Sequence, residues 1–487
     1  MSDTHRDDLF VQDDRPDRME EECGVFGVYA TGEDVARITY FGLHALQHRG
    51  QESAGIAVAD GHTLMVVKNL GLVAQVFSEG DLDSLQGHLA VGHTRYSTTG
   101  ASRKWENAQP MISAIGPNTI ALAHNGNLVN TASLREQLST LGVRFRSTTD
   151  SEVMVRLVDH FTQQHDSIRG GIRDAMRLMR GAYSGVMMSE SALYAFRDPY
   201  GVRPLVIGRL PGEKGWVFAS ETCALDIIGA EVIRDVAPGE LIRVKGGVLE
   251  AEQAVPPEKP SLCIFEFVYF ARPDSILQER TVYEARRSQG MALAHTAPVE
   301  ADMVIGVPDS GIPGAVGYAQ GSGIPYGEGL VKNRYVGRTF ISPTQSIRQQ
   351  GIRMKLNPLR HIIKGQRIVV VDDSIVRGNT SKKLVQLLRD AGATEVHMRL
   401  TSPPVVWPCF YGIDTDSQDQ LIAATHSVEE IAEFIGADSV AYLPLDDLIA
   451  STGRPAEEFC SACFSGDYPI DVPYSIRRGK LRLEQDA

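Results

Sequence analysis

The 487-residue chain contains no run of about 18 or more predominantly apolar residues, so no membrane-spanning helix is expected. Its N-terminus lacks the basic start and apolar stretch of a secretory signal. Positive charge is in short supply. There are 48 Lys and Arg against 61 Asp and Glu, a formal net charge of −13. A nucleic-acid partner needs a basic face to meet phosphates, so that class is excluded. Cysteine is also scarce, at six. Without a secretory signal these six do not read as a disulfide framework, and metal binding or catalysis is the better expectation. A cytoplasmic location follows by default. No internal repeat is visible.

What remains is globular in composition, 43% hydrophobic and 22% charged, and the length calls for two or three domains. Residues 1–22 are unpatterned and hold nine acids against three arginines, which reads as a disordered leader. Order begins at Cys23, where Cys23–Tyr29 reads as a strand. Short alternating runs follow at 54–59, 63–68, 89–92, 119–124, 186–188, 193–196, 217–219 and 241–244. Helical periodicity appears near 34–46, 132–141, 151–161 and 172–180. Many strands with few, segregated helices predict an α+β layered domain over roughly 23–250. The Pro- and charge-rich stretch Ala251–Pro260 is the expected linker. Beyond it the grammar changes to strand, loop, helix, strand: Met303–Val307, Pro313–Gln320, Arg367–Val371, Thr380–Ala391 and Glu395–Thr401. That predicts a parallel α/β sheet, with ligands at the carboxyl ends of its strands.

The segment 368–380, IVVVDDSIVRGNT, is the most informative. An apolar strand delivers Asp372 and Asp373, which can bind ribose hydroxyls and a hard cation such as Mg²⁺. Backbone N–H groups from Val376 through Thr380 and the following helix N-terminus form an anion site. Gly378 admits a close ligand, and Thr380 is placed to cap the helix. This segment resembles the phosphoribosyl pyrophosphate (PRPP) signature of type I phosphoribosyltransferases. The resemblance implies PRPP contacts from Asp372, Asp373, Ser374, Val376, Arg377, Gly378, Asn379 and Thr380. It also implies a pyrophosphate-gripping loop at Val307–Gly311, with Ser310 joining Asp372 and Asp373 around one Mg²⁺. Lys332, Arg334 and Arg338 lie in a basic stretch, 332–340. There the resemblance implies a loop that closes over PRPP, with Lys332 the preferred phosphate contact.

At the other end, an acidic leader stops immediately before Cys23. Cleavage after Glu22 would give Cys23 a free α-amine of pKa about 7.7–8.0, able to serve as base for its own thiol. Downstream, 92–98 (GHTRYST), 124–128 (HNGNL), 147–152 (STTDSE) and 44–53 (HALQHRGQES) are similar to segments of class II glutamine amidotransferases. These are N-terminal-nucleophile (Ntn) enzymes built in four layers. The resemblance assigns Arg95 to the glutamine carboxylate, Asp150 to its ammonium, and Asn125 and Gly126 to the oxyanion. His44 and His48 receive no catalytic role, and the segment around them reads as packing about the nucleophile.

Of the remaining cysteines, Cys460 and Cys463 form a C-x-x-C pair, with Cys263 and Cys409 far upstream. Four thiolates suit either Zn²⁺ or a [4Fe–4S] cluster, and spacing does not separate them. Cys223 reads as a small buried hydrophobe. Taken with both halves, the cysteine positions resemble the iron–sulfur branch of the amidophosphoribosyltransferase family. That resemblance favours one [4Fe–4S] cluster per subunit. It implies a propeptide at 1–22 (longer than many in the family), a glutaminase domain at 23–255 and a phosphoribosyltransferase domain at 256–487. It also implies a homo-oligomer, commonly a tetramer, inhibited by purine nucleotides, with an internal passage for ammonia. Two rivals are a sugar-phosphate amidotransferase, disfavoured by 369–380, and a PRPP-sensing regulator, disfavoured by intact Cys23, Arg95, Asn125 and Asp150.

Overall fold

A computed structural model describes residues 23–96, 104–115, 118–333, 355–413, 415 and 417–473. The expected leader, with Arg334 and Arg338, lies outside the described residues. The first half is built on two antiparallel sheets. The seven-stranded sheet runs, in spatial order, Glu231–Asp235, Val206–Arg209, Trp216–Ala219, Gly24–Tyr29, Leu89–Arg95, Ser53–Ala59, Leu64–Leu70. The six-stranded sheet runs Val248–Gln253, Glu240–Lys245, Ala192–Arg197, Gly181–Met188, Asn118–Leu128, Met111–Ile115.

Strand alternation decides how these sheets stack. Along Gly24–Tyr29, Phe26 and Val28 pack with the helix Val35–Ala45 and its neighbours, whereas Val25 and Tyr29 face the other sheet. The apolar layer between the sheets includes Val25, Ala57, Val91, Ala121, Ala123 and Val186. Gly27 allows this approach, since a Cβ there would fall 2.3 Å from Val186 Cγ1. Helices Asp150–His165 and Ile168–Leu178 cover the outer face of the six-stranded sheet. The order helix, sheet, sheet, helix is the four-layer Ntn arrangement.

The second half carries a four-stranded parallel sheet, Met303–Gly306, Arg367–Asp372, Glu395–Leu400, Ser439–Tyr442 in spatial order. Met303–Gly306 and Arg367–Asp372 are apolar on both faces, as strands covered by helices on both sides require, whereas Glu395–Leu400 turns His397 and Arg399 to one face. A two-residue parallel bridge pairs Cys263 with Cys460. One apolar cluster includes Val129, Ala182 and Val202 of the first half together with Phe265, Phe410 and all four remaining C-terminal cysteines. Two expectations need correction. The linker is shorter than 251–260, because Ala251–Gln253 completes an edge strand paired with Glu240–Ile242. The helix expected from Thr380 starts at Asn379, and its N-cap is Gly378 at φ +83°, with no side-chain cap bond. Among the described residues no helix is long and apolar enough to cross a membrane.

Candidate active sites

Three sequence-predicted residues converge because alternation puts them in the layer between the sheets. Cys23 shares the parity of Val25, Arg95 that of Val91, and Asn125 that of Ala121 and Ala123. Gly24 pairs with Thr94, so Cys23 and Arg95 sit side by side one step further along. A cavity there is lined by Cys23, Arg95, Gly126 and Asp150, with Tyr96, Gln109, His124, Thr149 and Ser151. The Cys23 thiol donates to the Tyr96 carbonyl at 3.3 Å. Burial, reinforced by the Asp150 and Glu52 carboxylates against Arg95 and Arg49, pushes the thiol up to about 12. A thiol held neutral in this way needs a base before it can attack.

The polar groups around it are placed for a zwitterionic ligand. Arg95 is buried, with its Nη1 3.5 Å from the Glu52 carboxylate. Asp150 opens the helix Asp150–His165 behind the Thr149 cap and accepts the Leu128 N–H at 3.1 Å. Asn125 is buried and its Nδ2 has no hydrogen-bond partner among the described residues. A buried orphan amide calls for an explanation, and an oxyanion that exists only during reaction supplies one. Gly126 follows at φ +131°, where a Cβ would strike the Ala182 carbonyl at 2.1 Å.

Beneath the nucleophile lies a charged network. Arg49, fully buried, donates from Nε to the Cys23 carbonyl at 3.2 Å, and to Glu221 at 2.6 Å and Glu266 at 2.7 Å. His48 Nε2 meets the same Glu221 oxygen at 2.7 Å. Burial alone would raise the Glu221 carboxyl, but His48 and Arg49 overcome it and hold it well below the usual carboxylate range. Ser275 and the Arg272 N–H also donate to Glu221. The nucleophile's backbone is thus tied to the start of the second half.

In that half, the strand Arg367–Asp372 ends in the acidic loop. Ser310 Oγ donates to Asp373 Oδ1 at 2.6 Å, and Ser374 Oγ to Asp373 Oδ2 at 2.7 Å. The Asp373 N–H donates to Asp372 Oδ1 at 3.0 Å. Gly311 brings its loop against the Val371 carbonyl, 2.3 Å from where a Cβ would stand. Val376 holds the loop down by accepting the Ile422 N–H, and Arg377 donates to Gln420. Gly378, Asn379 and Thr380 form the helix start. Lys332 is exposed and pairs with Asp309 of the Val307–Gly311 loop. Two carboxylates and a hydroxyl are hard oxygen donors that suit Mg²⁺, which keeps waters and takes substrate phosphates for the rest of its shell.

Cys263, Cys409, Cys460 and Cys463 line one further cavity, together with Arg203 and Tyr411. Burial first, then the neighbouring thiols, push Cys263 and Cys463 well above the ordinary thiol value and Cys460 up to about 12. The Tyr411 N–H donates to Cys409 Sγ at 3.4 Å. Among the described residues no three His, Cys, Asp or Glu side chains are grouped so as to hold a single ion.

Comparison with known proteins gives residues 93–226 as a glutamine amidotransferase domain and 287–400 as a phosphoribosyl transferase domain. The amidophosphoribosyltransferase of Synechococcus elongatus is 56% identical over 97% of this chain and 96% of its own length. The chain belongs to the amidophosphoribosyltransferase family. The enzyme of that name from Mycobacterium tuberculosis is 53% identical over 95% of this chain and 89% of its own. A solved Bacillus subtilis structure, glutamine PRPP amidotransferase complexed with ADP and GMP, superposes with a TM-score of 0.87 at 45% identity. It covers 94% of this chain and 100% of its own.

Within this amidophosphoribosyltransferase fold, sequence reasoning missed Arg49, Gln109 and Asn127. Arg49 was legible only as one residue of 44–53, read as packing. Gln109 accepts the His124 N–H at 2.9 Å from a loop that carries no motif. Asn127 sits inside the HNGN motif but faces away from the substrate, toward Phe410.

Proposed function

We propose that the chain makes 5-phospho-β-D-ribosylamine from glutamine, PRPP and water, releasing glutamate and pyrophosphate, as the first committed step of purine synthesis. One observation carries the reading. Cys23, Arg95, Gly126 and Asp150 surround a single cavity, in a chain whose other half ends a parallel strand in Asp372, with Asp373 next. Arg95 takes the glutamine α-carboxylate in a charge-assisted contact, and Asp150 takes the α-ammonium. That leaves the carboxamide over the Cys23 sulfur. Removal of residues 1–22 frees the Cys23 amine, which accepts the thiol proton as sulfur bonds to the amide carbon. Asn125 Nδ2 and the Gly126 N–H hold the oxyanion. Ammonia departs with the returned proton, and water hydrolyses the thioester to glutamate.

In the second half, residues 256–487, Asp372 and Asp373 hold the ribose hydroxyls, and the N–H groups at Val376–Thr380 hold the 5-phosphate. Ser374, Arg377 and Asn379 complete that loop, and Lys332 meets pyrophosphate beside Ser310. Mg²⁺, bound through Asp372, Asp373 and Ser310, would offset charge on the departing pyrophosphate. Ammonia reaching C1 must stay unprotonated, which favours an internal passage from the glutaminase half, residues 23–255. The four-cysteine cavity is proposed to hold one [4Fe–4S] cluster. Four buried cysteines lining one cavity are the ligand set that such a cluster takes. A cytoplasmic homotetramer completes the proposal, with inhibition by purine nucleotides, and that last point alone is supported by the ADP and GMP complexed with the Bacillus subtilis relative.

The test is pyrophosphate release from PRPP. Cys23→Ala should abolish it with glutamine yet leave it with ammonia at high pH, where free NH₃ is abundant. A wild-type protein that releases none with either nitrogen source would support the sensing-regulator reading instead.

A further inference from the structure

The segment that brings Cys409 to its cavity also touches the oxyanion turn, which lies more than 280 residues away in sequence. Asn127, buried and one position past Gly126, donates from Nδ2 to the Phe410 carbonyl at 2.9 Å. Arg203, fully buried, donates from Nε and Nη2 to the Tyr411 carbonyl at 3.1 and 2.8 Å. Gly412 adopts φ +124°, and a Cβ there would stand 3.1 Å from Arg203 Nη2 and 3.3 Å from both Cα and the carbonyl carbon of Gly126. Backbone therefore packs on backbone at the residue whose N–H is to meet the oxyanion. The same three-residue segment is tied at its middle residue to Cys409, by the Tyr411 N–H bond to Cys409 Sγ at 3.4 Å.

We propose that Phe410–Gly412 is the positioning element of the oxyanion turn, with Asn127 and Gly412 as its two contacts. The seating of Cys409 in its cavity then sets the geometry of the Asn125 and Gly126 donors. Donors aimed at a transient charge are effective only when held within a few tenths of an ångström, and this segment supplies the support behind them. The inference rests on reading Asn125 and Gly126 as oxyanion donors. Arg95 and Asp150 reach glutamine from other strands and helices, so ground-state binding is separable from oxyanion stabilisation.

The experiment compares Gly412→Ala and Asn127→Ala with the parent in the mature holoenzyme that begins at Cys23. Glutamine-dependent kcat should fall roughly 10- to 100-fold, with KM for glutamine and the ammonia-dependent rate each within about twofold. Glutamate γ-semialdehyde supplies a second readout. Its carbonyl takes up the Cys23 thiol, forming a C–S bond as the thiol proton passes to oxygen, and that oxygen occupies the oxyanion place. Its affinity should weaken in step with kcat, while glutamate affinity stays constant. The double variant should lose less than the product of the single losses, because both act through one contact. If glutamine and ammonia rates fall together, or semialdehyde and glutamate affinities weaken equally, the segment is only structural and the proposal is overturned. Should Gly412→Ala fail to fold, Asn127→Ala decides alone. If Asn125→Ala itself leaves kcat unchanged, the fault lies with the underlying oxyanion assignment.

Discussion

Asn125→Ala separates catalysis from stability at one atom. Asn125 Nδ2 is buried and makes no hydrogen bond among the described residues, so deleting it removes no ground-state bond to any of them at that nitrogen. Folding stability should change by less than about 1 kcal/mol, within the net worth of one neutral hydrogen bond. The transition state loses one of two oxyanion donors, a change that costs about 2.7–4 kcal/mol in comparable sites. At about 1.4 kcal/mol per factor of ten, glutamine-dependent kcat should drop about 10²- to 10³-fold. KM for glutamine should hold, because Arg95 and Asp150 are untouched, and the ammonia-dependent rate should hold as well. Steady-state kinetics with both nitrogen donors, beside a thermal unfolding curve, reads all four quantities. A variant that unfolds many degrees earlier, or that loses glutamine affinity with kcat intact, would refute the assignment.

Arg49→Met takes from Glu266 its hydrogen-bonded cation and leaves it with Arg203, 4.0 Å away, a change that costs up to about 3–5 kcal/mol and lowers Tm by up to roughly 6–20 °C. Adding Glu266→Leu should restore part of that loss in the same melting assay, and a single variant as stable as the double would contradict it. His93 is pushed down to about 3, chiefly by burial, so the unfolded chain takes up its proton first as pH falls. Its contribution is full above the ordinary value of 6.5 and is lost toward pH 3, by about 1.4 kcal/mol per unit. Urea midpoints at pH 7 and 5 should therefore converge in His93→Asn. Cys463→Ser should deplete iron and acid-labile sulfide measured per chain, whereas a zinc site would show zinc and no sulfide in the parent.

Much of this was legible because apolar alternation is local. The runs at 54–59, 89–92 and 119–124 each fall inside an observed strand, and their parity alone sends Arg95 and Asn125 into the same layer. Edge strands hid themselves. Glu231–Asp235 is exposed throughout and Val248–Gln253 carries two glutamates, so neither shows an apolar face. The Thr380 cap failed because Gly378, free to take a positive φ, ends the loop two residues earlier. The Arg49 network joins residues 172 and 217 positions apart, and no periodicity encodes such a pairing. Asp373 was legible as a ligand from its neighbours, but its bond to Ser310 depends on how two parallel strands align.

The most direct test is intact-mass analysis of active enzyme before and after inactivation by a glutamine-directed alkylating analogue. The account predicts a chain beginning at Cys23 that gains one adduct, on that residue, in proportion to lost glutamine-dependent activity. Fully active protein that still carries residues 1–22, or an adduct on any other cysteine, would contradict it.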